Sequence, residues 1–206
     1  MPVIKPYIDA IVFDLGGVLI DWNPRYLYRR VFDDDDAMEL FLATVATSAW
    51  IIAMDAGEPM ADAVARLAAR HPAQRRAIEA FLTRWQETHR GAIADAVLLL
   101  GELHARAWPL YALTNWSAET FPVMRPHFPF LEWFRGIVVS GEEGLVKPDP
   151  RLFHRMLDRY GLVPGRTVYI DDSRPNVVMA ETIGFHAVHC RSTAGLRADL
   201  ARLGVL

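Results

Sequence analysis

Four apolar runs in this chain end in residues able to do chemistry. Ile11-Val12-Phe13 runs into Asp14, with Gly16 and Gly17 just beyond it; Leu110 to Leu113 runs into Thr114-Asn115; Ile137 to Val139 is followed, after a loop, by Lys147; Thr167 to Ile170 runs into Asp171-Asp172. Two adjacent carboxylates at the end of a buried strand repel each other and lose hydration, so they need a cation. With Asp14 they offer oxygens suited to a hard divalent ion such as Mg²⁺, which keeps several waters and leaves room for a phosphate. Lys147 adds a second positive charge, and the Thr114 hydroxyl with nearby amides can donate to phosphoryl oxygens. In such a cradle Asp14 can attack phosphorus as a carboxylate nucleophile, and water can then cleave the aspartyl phosphate. Taken singly, each group has an ordinary explanation. Asp14 caps a turn, Thr114-Asn115 starts a helix, Lys147 is solvated, and Asp171-Asp172 opens a helix-entry turn. It is the four together, each at a strand end, that point to a site.

The groups converge only if the runs are neighbouring parallel strands. The near-continuous apolar character of Ile11 to Phe13 is that of a strand covered on both faces, and open α/β sheets hold ligands at the carboxyl ends of their strands. From residue 92 onward helices and short strands alternate. We read helices over 92–106, 118–125, 150–160, 175–183 and 194–203, and strands over 110–113, 137–139, 167–170 and 187–189, which predicts a doubly wound parallel sheet. Asp149-Pro150 reads as a cap followed by proline at the first helical position, and Gly161 and Gly184 fall where helices should stop. Between Pro24 and Leu100 no strand is expected. Apolar residues there recur at helical spacing, the acidic run Asp33 to Asp36 suits a helix amino terminus, and Gly57-Glu58-Pro59 and His71-Pro72 break the chain. The expected organisation is an α/β core over 1–18 and 93–206, with an all-helical cap over 19–92 inserted after the first strand, where it can exclude water and select substrate.

Composition narrows the partners. The 206 residues, 52% hydrophobic with 13 Gly and 13 Pro, describe a soluble globular protein. The net charge of −3 comes without a basic stripe, so no nucleic-acid partner is expected. The single cysteine, Cys190, cannot form an internal disulfide and reads as a buried core thiol in a reducing compartment. Met1 to Tyr7 lacks the apolar core of a signal peptide, and no apolar run reaches membrane-spanning length. A cytoplasmic protein with a small-molecule substrate and no membrane partner is expected, as a monomer or a homodimer.

On these motifs the chain resembles the haloacid dehalogenase superfamily, and within it the bacterial sugar-phosphate phosphatases with a helical cap. The resemblance rests on Phe13-Asp14-Leu15-Gly16-Gly17-Val18, Leu113-Thr114-Asn115, Val146-Lys147-Pro148-Asp149-Pro150 and Tyr169-Ile170-Asp171-Asp172-Ser173. It implies that Asp14 is the nucleophile and that Thr114 and Lys147 hold the phosphoryl group. It further implies Mg²⁺ bound by Asp14, the Gly16 carbonyl and Asp172, with Asp171 in support. Asn176 falls where the family often has another acidic residue of the outer shell. One position departs from the family. Its phosphatases usually place a second aspartate, the general acid and base, two residues after the nucleophile, and Gly16 stands there.

Three accounts of that departure follow: a phosphatase whose leaving group needs less help, such as an anomeric sugar phosphate; a metal-independent 2-haloacid dehalogenase, in which the same aspartate attacks carbon; or a degenerate binding domain. The pair Asp171-Asp172 favours the phosphatase, because the dehalogenase branch uses no metal. A phospho-accepting receiver domain is excluded by order, since its acidic pair follows the first strand. Around the site, Gly17 and Asn115 are expected to contact substrate, and Trp22 and Trp116 to offer aromatic faces to it, although core packing explains tryptophans equally well. Asp21 reads as a hinge residue that could relay a proton through water. Arg25, Arg29 and Arg30 read as a solvated helix face that could meet an anion, and no histidine is assigned a role.

Overall fold

A computed structural model describes residues 6–206; the expectation for the first five residues lies outside them. Strands β1 (Ala10–Phe13), β4 (Leu110–Thr114), β5 (Gly136–Val139), β6 (Thr167–Asp171) and β7 (His186–His189) form one sheet in the order β5-β4-β1-β6-β7, and every pairing in it is parallel. The remaining strands, β2 (Ile20–Trp22) and β3 (His89–Ala92), make a separate antiparallel ribbon. Helices α1 (Arg25–Tyr28), α2 (Asp35–Thr44), α3 (Ser48–Asp55), α4 (Met60–Arg70) and α5 (Arg75–Arg84) lie between β2 and β3. After β3 come α6 (Ala94–Ala105), α7 (Phe121–Met124), α8 (Ser140–Glu143), α9 (Pro150–Tyr160), α10 (Arg174–Ile183) and α11 (Thr193–Arg202).

The sheet is covered on both faces, as the apolar runs require. Ile11 and Phe13 point into a cluster with Leu99, Leu103, Leu196 and Leu200 from α6 and α11. Val12, between them, points into the opposite cluster with Leu152, Phe153 and Met156 of α9 and Tyr169. Burying side chains of this size contributes on the order of 1.5–3 kcal/mol each. A third apolar cluster is built wholly within the helical segment, from residues such as Tyr28, Phe41, Trp50, Ile78 and Phe81, and Trp85 packs against both it and the core beneath. The central position of β1, with β4 on one side and β6 on the other, creates the crevice where sheets of this type bind ligands. Among the described residues no single helix is long and apolar enough to cross a membrane.

Most punctuation acts as the sequence suggests. The Asp34 side chain caps α2 by accepting from the Ala37 N–H at 2.8 Å, Asp149 caps α9 ahead of Pro150, and Gly161 and Gly184 end their helices at φ of +64° and +106°. Two expectations need correction. The segment expected to lack strands contains β3, whose residues His-Arg-Gly-Ala carry no apolar alternation because the ribbon is only half covered. The helix expected over 118–125 is one turn, Phe121–Met124, followed by 3₁₀ segments Arg125–His127 and Pro129–Trp133. Pro122, Pro126 and Pro129 recur there too closely for an uninterrupted α-helical ladder. Of the two glycines that follow Asp14, only Gly17 has a left-handed backbone, and the Gly16 position has open space around it.

Candidate active site

β1, β4 and β6 deliver their terminal residues to one point because their registers align. Phe13 pairs with Ala112 on one side and Ile170 on the other, so Asp14 and Asp171 follow at the same level and Thr114 lies one residue further along β4. At the centre is the Lys147 ammonium, fully enclosed, 2.9 Å from an Asp14 oxygen, 2.8 Å from an Asp171 oxygen and donating to the Leu113 carbonyl at 2.8 Å. Asn115 fixes the lysine's backbone from both sides. It accepts from the Lys147 N–H at 2.8 Å and donates to the Lys147 carbonyl at 3.1 Å. The amide expected to contact substrate therefore serves first to hold the lysine loop.

Asp171 is completely buried and saturated with donors. Besides Lys147, it accepts from the Tyr169 hydroxyl at 2.5 Å, the Ser173 N–H at 2.8 Å and the Asn176 amide at 3.1 Å to both oxygens. These bonds define the surroundings of Asp171: its oxygens face a lysine, a tyrosine and an amide. Asp172, the next residue, is exposed to the crevice instead, and its backbone carbonyl lies 2.8 Å from the His189 ring. Gly17 explains how it fits. A Cβ on Gly17 would sit 2.2 Å from an Asp172 oxygen, and the backbone there has φ +72°. Asp14, Asp171 and Asp172 each bring a carboxylate oxygen to within 4.8 Å of the others.

The electrostatics follow from this crowding. Burial pushes the Asp14 carboxyl up to about 8; Lys147 opposes that shift, and the two neighbouring carboxylates reinforce it. Burial raises Asp172 as well, with Asp171 adding to the effect. Burial also works on Asp171, but the charge and hydrogen bond of Lys147 outweigh it and hold that carboxyl below its ordinary value. Burial disfavours the charge on Lys147, and Asp14 and Asp171 more than compensate, raising it. Two carboxyl groups thus pair with the Lys147 ammonium and a third, Asp172, lies close to them, a crowding of acidic groups whose ionised forms a hard divalent cation would stabilise. Beside them the Thr114 hydroxyl is buried and has no hydrogen-bond partner among the described residues. An orphaned donor there fits an anionic guest such as a phosphoryl oxygen.

Of these groups, Asp14 and Asp172 open into a cavity of about 400 Å³. Its floor is Asp14, Gly16, Gly17 and Asp172, and its wall is largely apolar, with Ile51, Met54, Met60, Phe81, Trp85 and Trp116. Trp22 also lines it and stays 37% exposed, so it is a wall residue and not part of the core. Trp116 is buried, donates from its ring N–H to the Thr120 hydroxyl at 3.0 Å and shows its face to His89, stacked at 5.3 Å.

The remaining basic and acidic candidates are engaged elsewhere. Arg25 lines the cavity but pairs with Glu39 at 2.5 Å; Arg29 faces Asp35 and Arg30 faces Glu87. Asp21 accepts from the Tyr26 hydroxyl at 2.8 Å within the ribbon.

Two lining residues escaped the sequence reading. His89, held by the Thr88 hydroxyl at 3.1 Å, has its pKa lowered to about 4 by burial and is neutral. Asp55 ends α3, and burial raises its carboxyl to about 7, against the Ser117 N–H and the charge of Lys147. Its signal was a lone carboxylate closing the apolar stretch Trp50 to Met54.

Comparison with known proteins matches the family model described as haloacid dehalogenase-like hydrolase over residues 8–184. The sesquiterpene phosphatase astK of Aspergillus oryzae is 27% identical over 94% of this chain and 95% of its own length. The phosphorylated carbohydrates phosphatase of Thermotoga maritima is 23% identical over 88% of this chain and 84% of its own. Among solved structures, a predicted HAD-like family hydrolase from Porphyromonas gingivalis aligns with a TM-score of 0.72 at 24% identity, covering 95% of this chain and 98% of that one.

Proposed function

We propose that this chain, which belongs to the haloacid dehalogenase-like hydrolases, hydrolyses the phosphomonoester of a small molecule with an apolar organic part, with Asp14 as nucleophile and Mg²⁺ as cofactor. The reading is carried by one observation: Asp14, Asp171 and Asp172 bring their carboxyl groups together, two of them on the buried Lys147 ammonium, beside a buried hydroxyl with no partner among the described residues. Asp14, the Gly16 carbonyl and the crevice-facing Asp172 would hold the ion, and Asp171 would anchor Lys147. Bound there, Mg²⁺ supplies positive charge against the carboxylates and the phosphoryl oxygens.

In this scheme Thr114 and Lys147 hold the phosphoryl group by donating to its oxygens. Asp14 attacks phosphorus along the line opposite the ester oxygen; the P–O ester bond breaks, and the alcohol leaves with a proton. Water then attacks the aspartyl phosphate, phosphate departs, and Asp14 is restored as carboxylate. The segment over 19–92 acts as a cap on the core formed by 1–18 and 93–206, and its apolar side chains exclude bulk water, which strengthens the charged contacts.

The apolar wall favours an isoprenoid-like chain over a sugar, whose hydroxyls would meet few partners there. The Aspergillus relative's name points the same way and the Thermotoga relative's name points to carbohydrates, so the two are tested side by side. Farnesyl monophosphate is expected to show kcat/KM at least tenfold above glucose 1-phosphate. Release of phosphate should stop in chelator and return with added Mg²⁺. Halide release from 2-haloacids that persists in chelator, without phosphate release from any ester, would sink the reading.

Gly17→Ala tests the ion site. The new methyl must displace the Asp172 carboxylate, so the apparent Mg²⁺ affinity, read from activity against Mg²⁺ concentration, should fall about 10–100-fold. Gly16→Ala meets nothing within 4 Å and should leave that affinity within a few fold; equal effects of the two would contradict the assignment.

A further inference from the structure

Gly16 leaves the cavity floor without the acid that would protonate a departing alcohol. An alkoxide is a poor leaving group, so some other donor is needed. Attack by Asp14 directs the leaving oxygen away from the strand edge, into the cavity and toward the helical segment above it. An acid supplied from that segment is therefore on the correct side of phosphorus.

Among the described residues three carboxyl groups line the cavity: Asp14, Asp172 and Asp55. The first two are already assigned to attack and to the cation. His89 lines it too but is neutral, since burial holds its pKa at about 4, and Arg25 is tied to Glu39. Asp55 is tied to the sheet edge. The Ser117 N–H, just beyond β4, acts on its carboxyl by opposing the effect of burial. Its backbone carbonyl accepts from the Ser140 hydroxyl at 2.7 Å, and the same hydroxyl accepts from the Trp116 N–H at 2.9 Å. This chain of contacts fixes the end of α3 against the loop that follows Thr114.

We infer that Asp55 is the general acid and base of this enzyme, supplied by the helical segment in place of the residue missing at Gly16. The inference rests on the phosphatase reading above. In the first step the Asp55 carboxyl gives its proton to the ester oxygen as the P–O bond breaks. In the second its carboxylate takes a proton from the attacking water, which restores the acid. Burial raises the group to about 7, so it holds a proton in a substantial fraction of molecules near neutral pH, as an efficient acid catalyst should.

The test separates leaving groups. An alkyl phosphate needs a proton at its ester oxygen, whereas 2,4-dinitrophenyl phosphate leaves as a stabilised anion. Asp55→Asn is nearly isosteric and removes the acidic proton. We expect the ratio of kcat/KM for the alkyl ester to that for the dinitrophenyl ester to fall by about 10²–10⁴-fold, the usual worth of general acid catalysis. Asp55→Ser should show the same fall, and the ratio is independent of how much of either protein is folded. Equal losses on both esters would overturn the assignment, because a structural role affects them alike; no loss on the alkyl ester would overturn it too. A wild-type protein that releases phosphate from neither ester would instead overturn the phosphatase reading and this inference with it.

Discussion

Asp14→Asn is expected to lower phosphate release by at least about 10⁴-fold on every ester, whatever its leaving group. Removal of a covalent nucleophile costs about that much or more elsewhere. The substitution is nearly isosteric. The amide oxygen can still accept from the Leu15 N–H, now 2.7 Å from an Asp14 oxygen, and Lys147 keeps its second carboxylate partner in Asp171. Since burial already pushes the Asp14 carboxyl toward its neutral form, thermal unfolding should change little. The measurement is steady-state turnover paired with acid-quenched trapping of a phosphorylated chain. Wild type should yield an acid-stable, hydroxylamine-sensitive phosphoprotein and the variant none. Residual turnover above about one per cent would mean that another group attacks. The uniform loss also distinguishes Asp14 from Asp55, whose replacement should be felt mainly by poor leaving groups.

Lys147→Met should damage both activity and stability. The ammonium pairs with the buried Asp14 and Asp171, and removing it leaves those two carboxyl groups facing each other. Breaking a buried pair by deleting one partner costs about 3–5 kcal/mol, which urea unfolding of the metal-free protein should show. Activity should fall about 10²–10³-fold, the scale of losing one preorganised electrostatic contact in a reacting site. Added Mg²⁺ should then stabilise the variant more than it stabilises wild type, because a bound ion that favours the native state raises stability by linkage and the variant has more negative charge to offset. Equal Mg²⁺ stabilisation of the two proteins would mean that the ion and the lysine do not share a site.

How much of this was legible in the residues depended on where each one sits. Asp14, Thr114 and Asp171-Asp172 were readable because a buried strand is an apolar run and each run breaks at a polar residue, so the break itself marks the sheet edge. Lys147 was readable through Pro148-Asp149-Pro150, which announces a helix. Asp55 and His89 were not singled out, because neither ends a strand of the central sheet. Their chemistry comes from tertiary placement: an aspartate at the end of a short helix becomes an acid only when α3 folds over the edge of β4, and a histidine becomes a neutral cavity wall only when it stacks on Trp116. The β2–β3 ribbon was missed for a related reason. Short strands covered on one side have weak periodicity, and Gly91 within β3 reads as a breaker. Asp171 shows the converse limit, since the sequence could pair it with Asp172 but not reveal that hydrogen bonds from four residues already surround its oxygens.

That ribbon also decides how the molecule can move. The chain enters the helical segment through Ile20–Trp22 and leaves it through His89–Ala92, and these two passages are hydrogen-bonded to each other. Two independent linkers would let the helices slide, twist or drift sideways over the sheet. A paired strap resists stretching and shear and yields most easily by flexing across its thin direction, so the natural motion is a single nod, like a trapdoor on a strip hinge. Trp22 and His89 are cross-strand partners in the strap and both line the cavity. Flexing of the strap would therefore carry both of these cavity-lining residues together.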